Sequence, residues 1–151
     1  MTRNLTQKGA ENKLLYKEES YQLLGACFDL YKELGCGHKE TVYQRGLLQK
    51  LTERGLAAER EVQIPVKVSN VKVGSYVPDL VVDEKILVEI KAKKFLIQQD
   101  KRQFWQYLTA TSFKLGFMVN FGKPGGVEYI RRIYDTARRT TSQNNAKSAA
   151  E

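Results

Sequence analysis

Three ionisable residues stand out by type and spacing: Asp79, Glu89 and Lys91. Asp79 follows Pro78, while Glu89 and Lys91 interrupt an otherwise apolar run that starts at Ile86. Residues two apart on a strand share a face, so Glu89 and Lys91 point the same way. Asp83-Glu84-Lys85 lies between two apolar runs and reads as a three-residue hairpin loop. Such a loop pairs position 82 with 86 and brings Asp79 opposite Glu89. Opposed residues have Cβ atoms about 5 Å apart. Two carboxylates that close repel each other unless a cation lies between them or one is protonated. Hard oxygen donors at this spacing suit Mg2+, with Mn2+ as a substitute. A divalent ion there would acidify a water. An ammonium on the same face can orient that water or stabilise negative charge on a phosphate. These roles fit hydrolysis of a phosphodiester. The same pattern also fits a plain salt-bridged hairpin, because Glu-x-Lys on one strand face is common and so is Asp beside Pro. The apolar remainder of the strand argues for chemistry, since charges are rarely set in such a run without a partner or a task.

The elements that must position these residues are legible as changes of period. From residue 13 to residue 34, Leu14, Tyr21, Leu24, Phe28, Tyr31 and Leu34 recur at helical spacing, and Gly35 stops the helix. A second helix is predicted over residues 39–54, with Val42, Tyr43, Leu47 and Leu51 inward and Gly55 at its end. The period then becomes two. Residues 61–68 read as a strand in which Pro65 marks an edge or a bulge. Ser69-Asn70 opens a turn that Gly74 closes. Residues 76–82 and 86–92 are the next two strands. Residues 98–109 form a helix with Phe104, Tyr107 and Leu108 inward, and Trp105 is expected in the core, away from the Gln103 face. Residues 115–121 make a buried strand, residues 122–126 a loop and residues 127–134 a last strand. The order α-α-β-β-β-α-β-β predicts an α/β fold, a mixed β-sheet flanked by helices.

Composition sets outer bounds. The chain has 151 residues, 42% apolar and 28% charged, which suits one globular domain over residues 13–135. Residues 1–12 are polar and read as a flexible N-terminus. Residues 136–151 lack apolar content and read as a disordered tail. The formal charge is +8, but residues 1–13 and 136–151 each carry +2 of it, so charge alone points only mildly to nucleic acid. Cys27 and Cys36 form no CxxC pair, and with His38 alone they cannot build a zinc site. Cys27 reads as core, Cys36 as a small turn residue and His38 as a turn or cap residue. Unpaired cysteines suit a reducing cytoplasm. No run is long and apolar enough for a membrane span, and no secretory signal is visible.

Four motifs carry a resemblance to a known family. Gly37-His38-Lys39-Glu40-Thr41-Val42-Tyr43, Pro78-Asp79 with Glu89-Ile90-Lys91, Gln103-Phe104-Trp105-Gln106-Tyr107, and Gly116-Phe117-Met118-Val119-Asn120-Phe121-Gly122 occur in that order. Together they resemble the GxxExxY protein family, a branch of the PD-(D/E)xK nuclease superfamily, from about residue 23 to residue 134. The resemblance implies a restriction-endonuclease-like core. It implies that Asp79 and Glu89 are metal ligands together with the Ile90 carbonyl, and that Lys91 is the catalytic lysine. It also implies that Glu40 is an extra acid supporting the metal or its water. On its own residues, Glu40 equally fits a first-turn acid favoured by the helix dipole. Gln103 and Tyr107 lie four apart and share a helix face. The resemblance implies that this face borders the active site and the DNA backbone, with Gln103 functional and Tyr107 both packed and functional. Tyr43, three residues after Glu40, reads as structural support. Lys93, Lys94, Lys101 and Arg102 flank the site and fit either phosphate contacts or a solvated basic face.

Three functions follow as expectations. The first is Mg2+-dependent cleavage of DNA, in repair, recombination or defence against mobile elements. The second is a catalytically silent nucleic-acid-binding module with the same fold. The third is an interaction subunit of a homo-oligomer or larger complex, since no separate recognition domain is visible in the chain.

Overall fold

The protein is described by a computed structural model covering residues 15–134. The expectations for residues 1–12 and 136–151, and for a helix start at residue 13, lie outside the described residues. Helices α1 (Lys17–Leu34) and α2 (Glu40–Glu53) come first. Five strands follow: β1 (Ala58–Glu59), β2 (Ile64–Val68), β3 (Val71–Tyr76), β4 (Leu80–Val82) and β5 (Ile86–Lys91). Helix α3 (Gln98–Ala110) leads to β6 (Leu115–Asn120) and β7 (Glu128–Ile133). The main sheet has five strands in the order β1-β4-β5-β6-β7. Only β5 and β6 run parallel, joined through α3, and the other neighbours are antiparallel. β2 and β3 form a separate two-stranded sheet. The mixed α/β arrangement is the expected one.

The sheet is covered on both faces. Leu23, Ala26, Cys27 and Leu30 of α1 and Tyr43, Leu47 and Leu51 of α2 pack with Val82, Val88, Ile90, Phe117 and Val119. The opposite face carries Val81 and Leu87, which meet Leu108 of α3 and Ile64 and Tyr76 of the hairpin. Glu89 and Lys91 lie two and four residues after Leu87 on β5 and therefore share this second face. α3 lies close to β6: a Cβ at Gly116 would come within 2.8 Å of the Phe104 ring, so this position has room for no side chain. All six residues of β6 are buried, which explains why that strand reads as one apolar run. Among the described residues no helix is long and apolar enough to cross a membrane.

Several expectations need correction. The predicted strand over residues 76–82 is two strands in different sheets, broken at Val77-Pro78-Asp79. Pro78 lacks the N–H a ladder needs, and the chain changes partner there. The turn after β2 is the residue pair Ser69-Asn70, both with positive φ, and Gly74 lies inside β3 rather than closing the turn. Positive φ at both central residues is the two-residue hairpin geometry whose twist matches that of the strands. β1 went unread because two residues carry no period. In α1 the predicted stripe is displaced in part: Tyr21 and Phe28 are exposed, while Ala26 is buried beside Cys27, the expected core residue. The small side chains let α2 approach, where a Cβ on Gly46 would come within 2.7 Å of Leu30. Val42 on α2 is exposed as well, and so is Trp105, which meets Tyr134 edge-on at 5.6 Å instead of entering the core.

Candidate active site

The hairpin register is the expected one: Val82 pairs with Ile86 and Leu80 with Val88. One step further sets Asp79 across from Glu89, but the ladder stops at Leu80. The Asp79 side chain takes over, its Oδ2 accepting the Ile90 N–H at 2.7 Å. Its other oxygen, Oδ1, accepts from Gln44 Nε2 of α2 at 2.9 Å. Glu89 Oε1 accepts from the Tyr76 hydroxyl at the end of β3. Asp79 is thus held by donors from α2 and β5, and Glu89 by one from β3, near enough that the Asp79 charge acts on Glu89.

Electrostatics follow from this crowding. Burial pushes the Glu89 carboxyl up, the Asp79 charge adds to that, and Tyr76 and Lys91 only partly offset it, leaving Glu89 at about 7. Asp79 is also raised by burial, against the opposing pull of the Ile90 N–H, Lys91 and Arg60. Glu40, the first residue of α2, is raised by burial and then by Asp79, while Lys91 and Lys93 pull it down. Glu40, Asp79, Glu89 and Lys91 therefore share one electrostatic neighbourhood.

The donor set suits a hard divalent ion. Carboxylates whose ionised forms are disfavoured by each other and by burial gain from a cation between them. Among the described residues, however, no three His, Cys, Asp or Glu side chains converge as a metal cage. Glu40 is a neighbour of the pair and does not complete a triad of acids with it. An ion between Asp79 and Glu89 would need backbone oxygen, such as that of Ile90, and water for its remaining ligands. Mg2+ commonly uses one or two carboxylates and keeps several waters.

The other predicted residues divide into two groups. Gln103 Nε2 donates to the Tyr107 hydroxyl at 3.0 Å, and the Tyr107 ring stacks on Tyr76 with centroids 4.0 Å apart. The Gln103 face of α3 thus reaches Glu89 through two tyrosines. Lys93 is joined to Asp100 at 2.7 Å. Burial pushes Asp100 up, but Lys93 and the Ile97 N–H outweigh it and hold the carboxyl below its ordinary range. Lys94 and Arg102 are exposed and Lys101 is half-buried. Arg102 and Gln103 line a shallow depression with Gln99 and Gln106. Tyr43 is buried, donates to the Gly35 carbonyl at 2.6 Å and stacks on Phe121. His38 Nε2 lies 3.2 Å from the Leu34 carbonyl at the end of α1, a cap position.

Four contributors were not singled out from sequence. Gln44 lies four residues after Glu40, and helical spacing could have found it. Asn120 is the one polar side chain of β6. Its Oδ1 accepts from the Lys93 and Gly122 N–H groups and its Nδ2 donates to the Lys93 carbonyl, which fixes the chain leaving β5. A lone Asn in an apolar strand was the available signal. Gly122 is required by that packing, since a Cβ there would come within 2.3 Å of the Lys93 backbone. Tyr76 left no sequence signal, because its partners come from β5 and α3.

No curated protein sequence matches the chain. A solved structure of an alkaline exonuclease (LHK-Exo) from Laribacter hongkongensis is 14% identical, with a TM-score of 0.45. The match covers 72% of this chain and 61% of that one. Residues 17–133 match the family model described as the PD-(D/E)XK nuclease superfamily, a span that holds every residue of the site. The chain belongs to the PD-(D/E)XK nuclease superfamily.

Proposed function

We propose that the protein is a Mg2+-dependent nuclease that hydrolyses phosphodiester bonds in DNA, and that within its superfamily it falls among the GxxExxY proteins. The observation that carries the reading is the Asp79 carboxylate fastened to the Ile90 N–H beside a Glu89 carboxyl raised to about 7. Asp79, Glu89 and the Ile90 carbonyl would hold the ion, with Glu40 beside them. The ion supplies Lewis acidity toward a phosphodiester oxygen and an acidified water. Lys91 brings a positive charge to the same face, where it stabilises the charge that grows on the phosphate. Gln44 and Tyr76 orient Asp79 and Glu89. Gln103 and Tyr107 border the substrate path on α3. Lys94, Lys101 and Arg102 are suited to phosphates along it, and Lys93 can donate to a phosphate while it holds Asp100. Two unpaired cysteines, one buried and one exposed, suit a reducing cytoplasm.

The test is a cleavage panel on duplex, single-stranded and branched DNA and on RNA, with Mg2+, Mn2+ or chelator. Cleavage is expected with DNA and either metal. Asp79→Ala and Lys91→Ala are each expected to lower it by at least about 100-fold. Full activity in either variant removes the proposal. A silent nucleic-acid-binding module is the second reading. It is favoured by the protein donors already on Asp79 and Glu89, which satisfy three of their four oxygens without an ion. Nucleic-acid binding with no metal binding and no cleavage would select it.

A further inference from the structure

The β2–β3 hairpin stands apart from the rest of the molecule. It shares no ladder with the main sheet and is anchored at its root by Ile64 and Tyr76. Beyond that root every residue from Lys67 to Val73 is exposed. Val68, Val71 and Val73 are 60%, 62% and 61% exposed, an apolar tip that no other described residue covers. Lys67 and Lys72 are direct cross-strand partners. Like charges opposite each other destabilise a ladder. Neither lysine has an acidic partner among the described residues. From residue 62 to residue 78 the chain contains two lysines and no acid, in a protein with 17 acidic residues. The root of the same hairpin carries Tyr76, which holds Glu89.

We infer that this hairpin is a binding arm for duplex nucleic acid, set beside the catalytic carboxylates. The inference rests on the nuclease reading and adds to it which element grips the substrate. A polyanion between Lys67 and Lys72 relieves their repulsion, which no acid among the described residues does. A two-stranded ribbon has a width that the major groove of a DNA duplex admits. The valines then lie against the groove wall while the lysines meet phosphates. A second copy of the chain is the other occupant to consider. Pro65 counts against strand addition along β2, because it removes a ladder donor. Edge lysines likewise discourage strand pairing.

The experiment measures binding of the full chain to a short labelled duplex by fluorescence anisotropy, in chelator, over a series of salt concentrations. The comparison is with Lys67→Gln/Lys72→Gln and with Val71→Ser/Val73→Ser. If both lysines meet phosphates, the double lysine variant loses about 1.8 from the slope of log affinity against log salt. Its affinity drops about tenfold or more, while its Mn2+ affinity and thermal midpoint are retained. The valine variant weakens binding without changing the slope. Wild-type slope and affinity in both variants, with wild-type cleavage intact, overturn the arm and leave the nuclease reading standing. No nucleic-acid binding by the wild type overturns the arm, and if cleavage is also absent with Mg2+ added, the nuclease reading falls with it. A wild-type dimer that the valine variant splits, with binding unchanged, assigns the hairpin to a second copy and overturns the arm.

Discussion

The main sheet and the β2–β3 hairpin are built from the same kind of residue and end in opposite environments. Val81, Val82, Val88 and Val119 are buried, whereas Val68, Val71 and Val73 are exposed. Valine favours extended backbone in both places because its branched Cβ suits a pleated surface. That preference says nothing about what covers the surface. The sheet has α1 and α2 on one face and α3 on the other, while the hairpin has a helix on neither side of its tip. Charge behaves in the same divided way. Glu89, set in the sheet, is pushed up to about 7 and needs Tyr76 and a neighbouring cation. The hairpin's Lys67 and Lys72 are solvated, with no acidic partner among the described residues.

Matched substitutions can break this comparison. Val88→Asp sets an unpaired charge in the core and is expected to cost at least about 4 kcal/mol or prevent folding, read by urea denaturation. A folded Val88→Asp protein with a near-normal midpoint would mean the sheet is less enclosed than described. Next comes the proposed metal site. Glu89 holds its proton more tightly folded than unfolded, so between about 4.5 and 7 the folded state binds more protons. Metal-free stability should therefore fall as pH rises through that window. An ion that needs the carboxylate should bind up to about tenfold more weakly for each pH unit below 7. Calorimetric titration with Mn2+ at several pH values checks this, and a pH-independent affinity would detach Glu89 from the ion.

Tyr76→Phe removes the hydroxyl on Glu89 and keeps the stack on Tyr107. Loss of a group that orients a ligand should weaken Mn2+ binding about tenfold. A rise in affinity would make Tyr76 a competitor for the Glu89 oxygen rather than its support. The smallest effect is expected at the hairpin tip. Val71→Thr keeps β-branching on an exposed position and should change stability by no more than about 0.5 kcal/mol. A loss of several kcal/mol there would show that the tip is covered in solution.

The sequence by itself determined a good deal. The candidate carboxylates and lysine, the shared face of Glu89 and Lys91, the 82–86 pairing, the buried β6 and the order of the helices were all readable within single elements or one hairpin. Period and turn chemistry act between residues close in the chain, so the chain order records them. The tertiary structure alone decided the rest. Gln44 reaches Asp79 across 35 positions, and Tyr76 joins Glu89 to Tyr107 and Gln103 from a strand in a different sheet. It buried Ala26 of α1, turned Tyr21 and Phe28 outward and left Trp105 outside. It split the strand at Pro78 and set the β2–β3 valines apart from the sheet. Periodicity identifies which residues share a face, but only packing against distant elements selects the face that is covered.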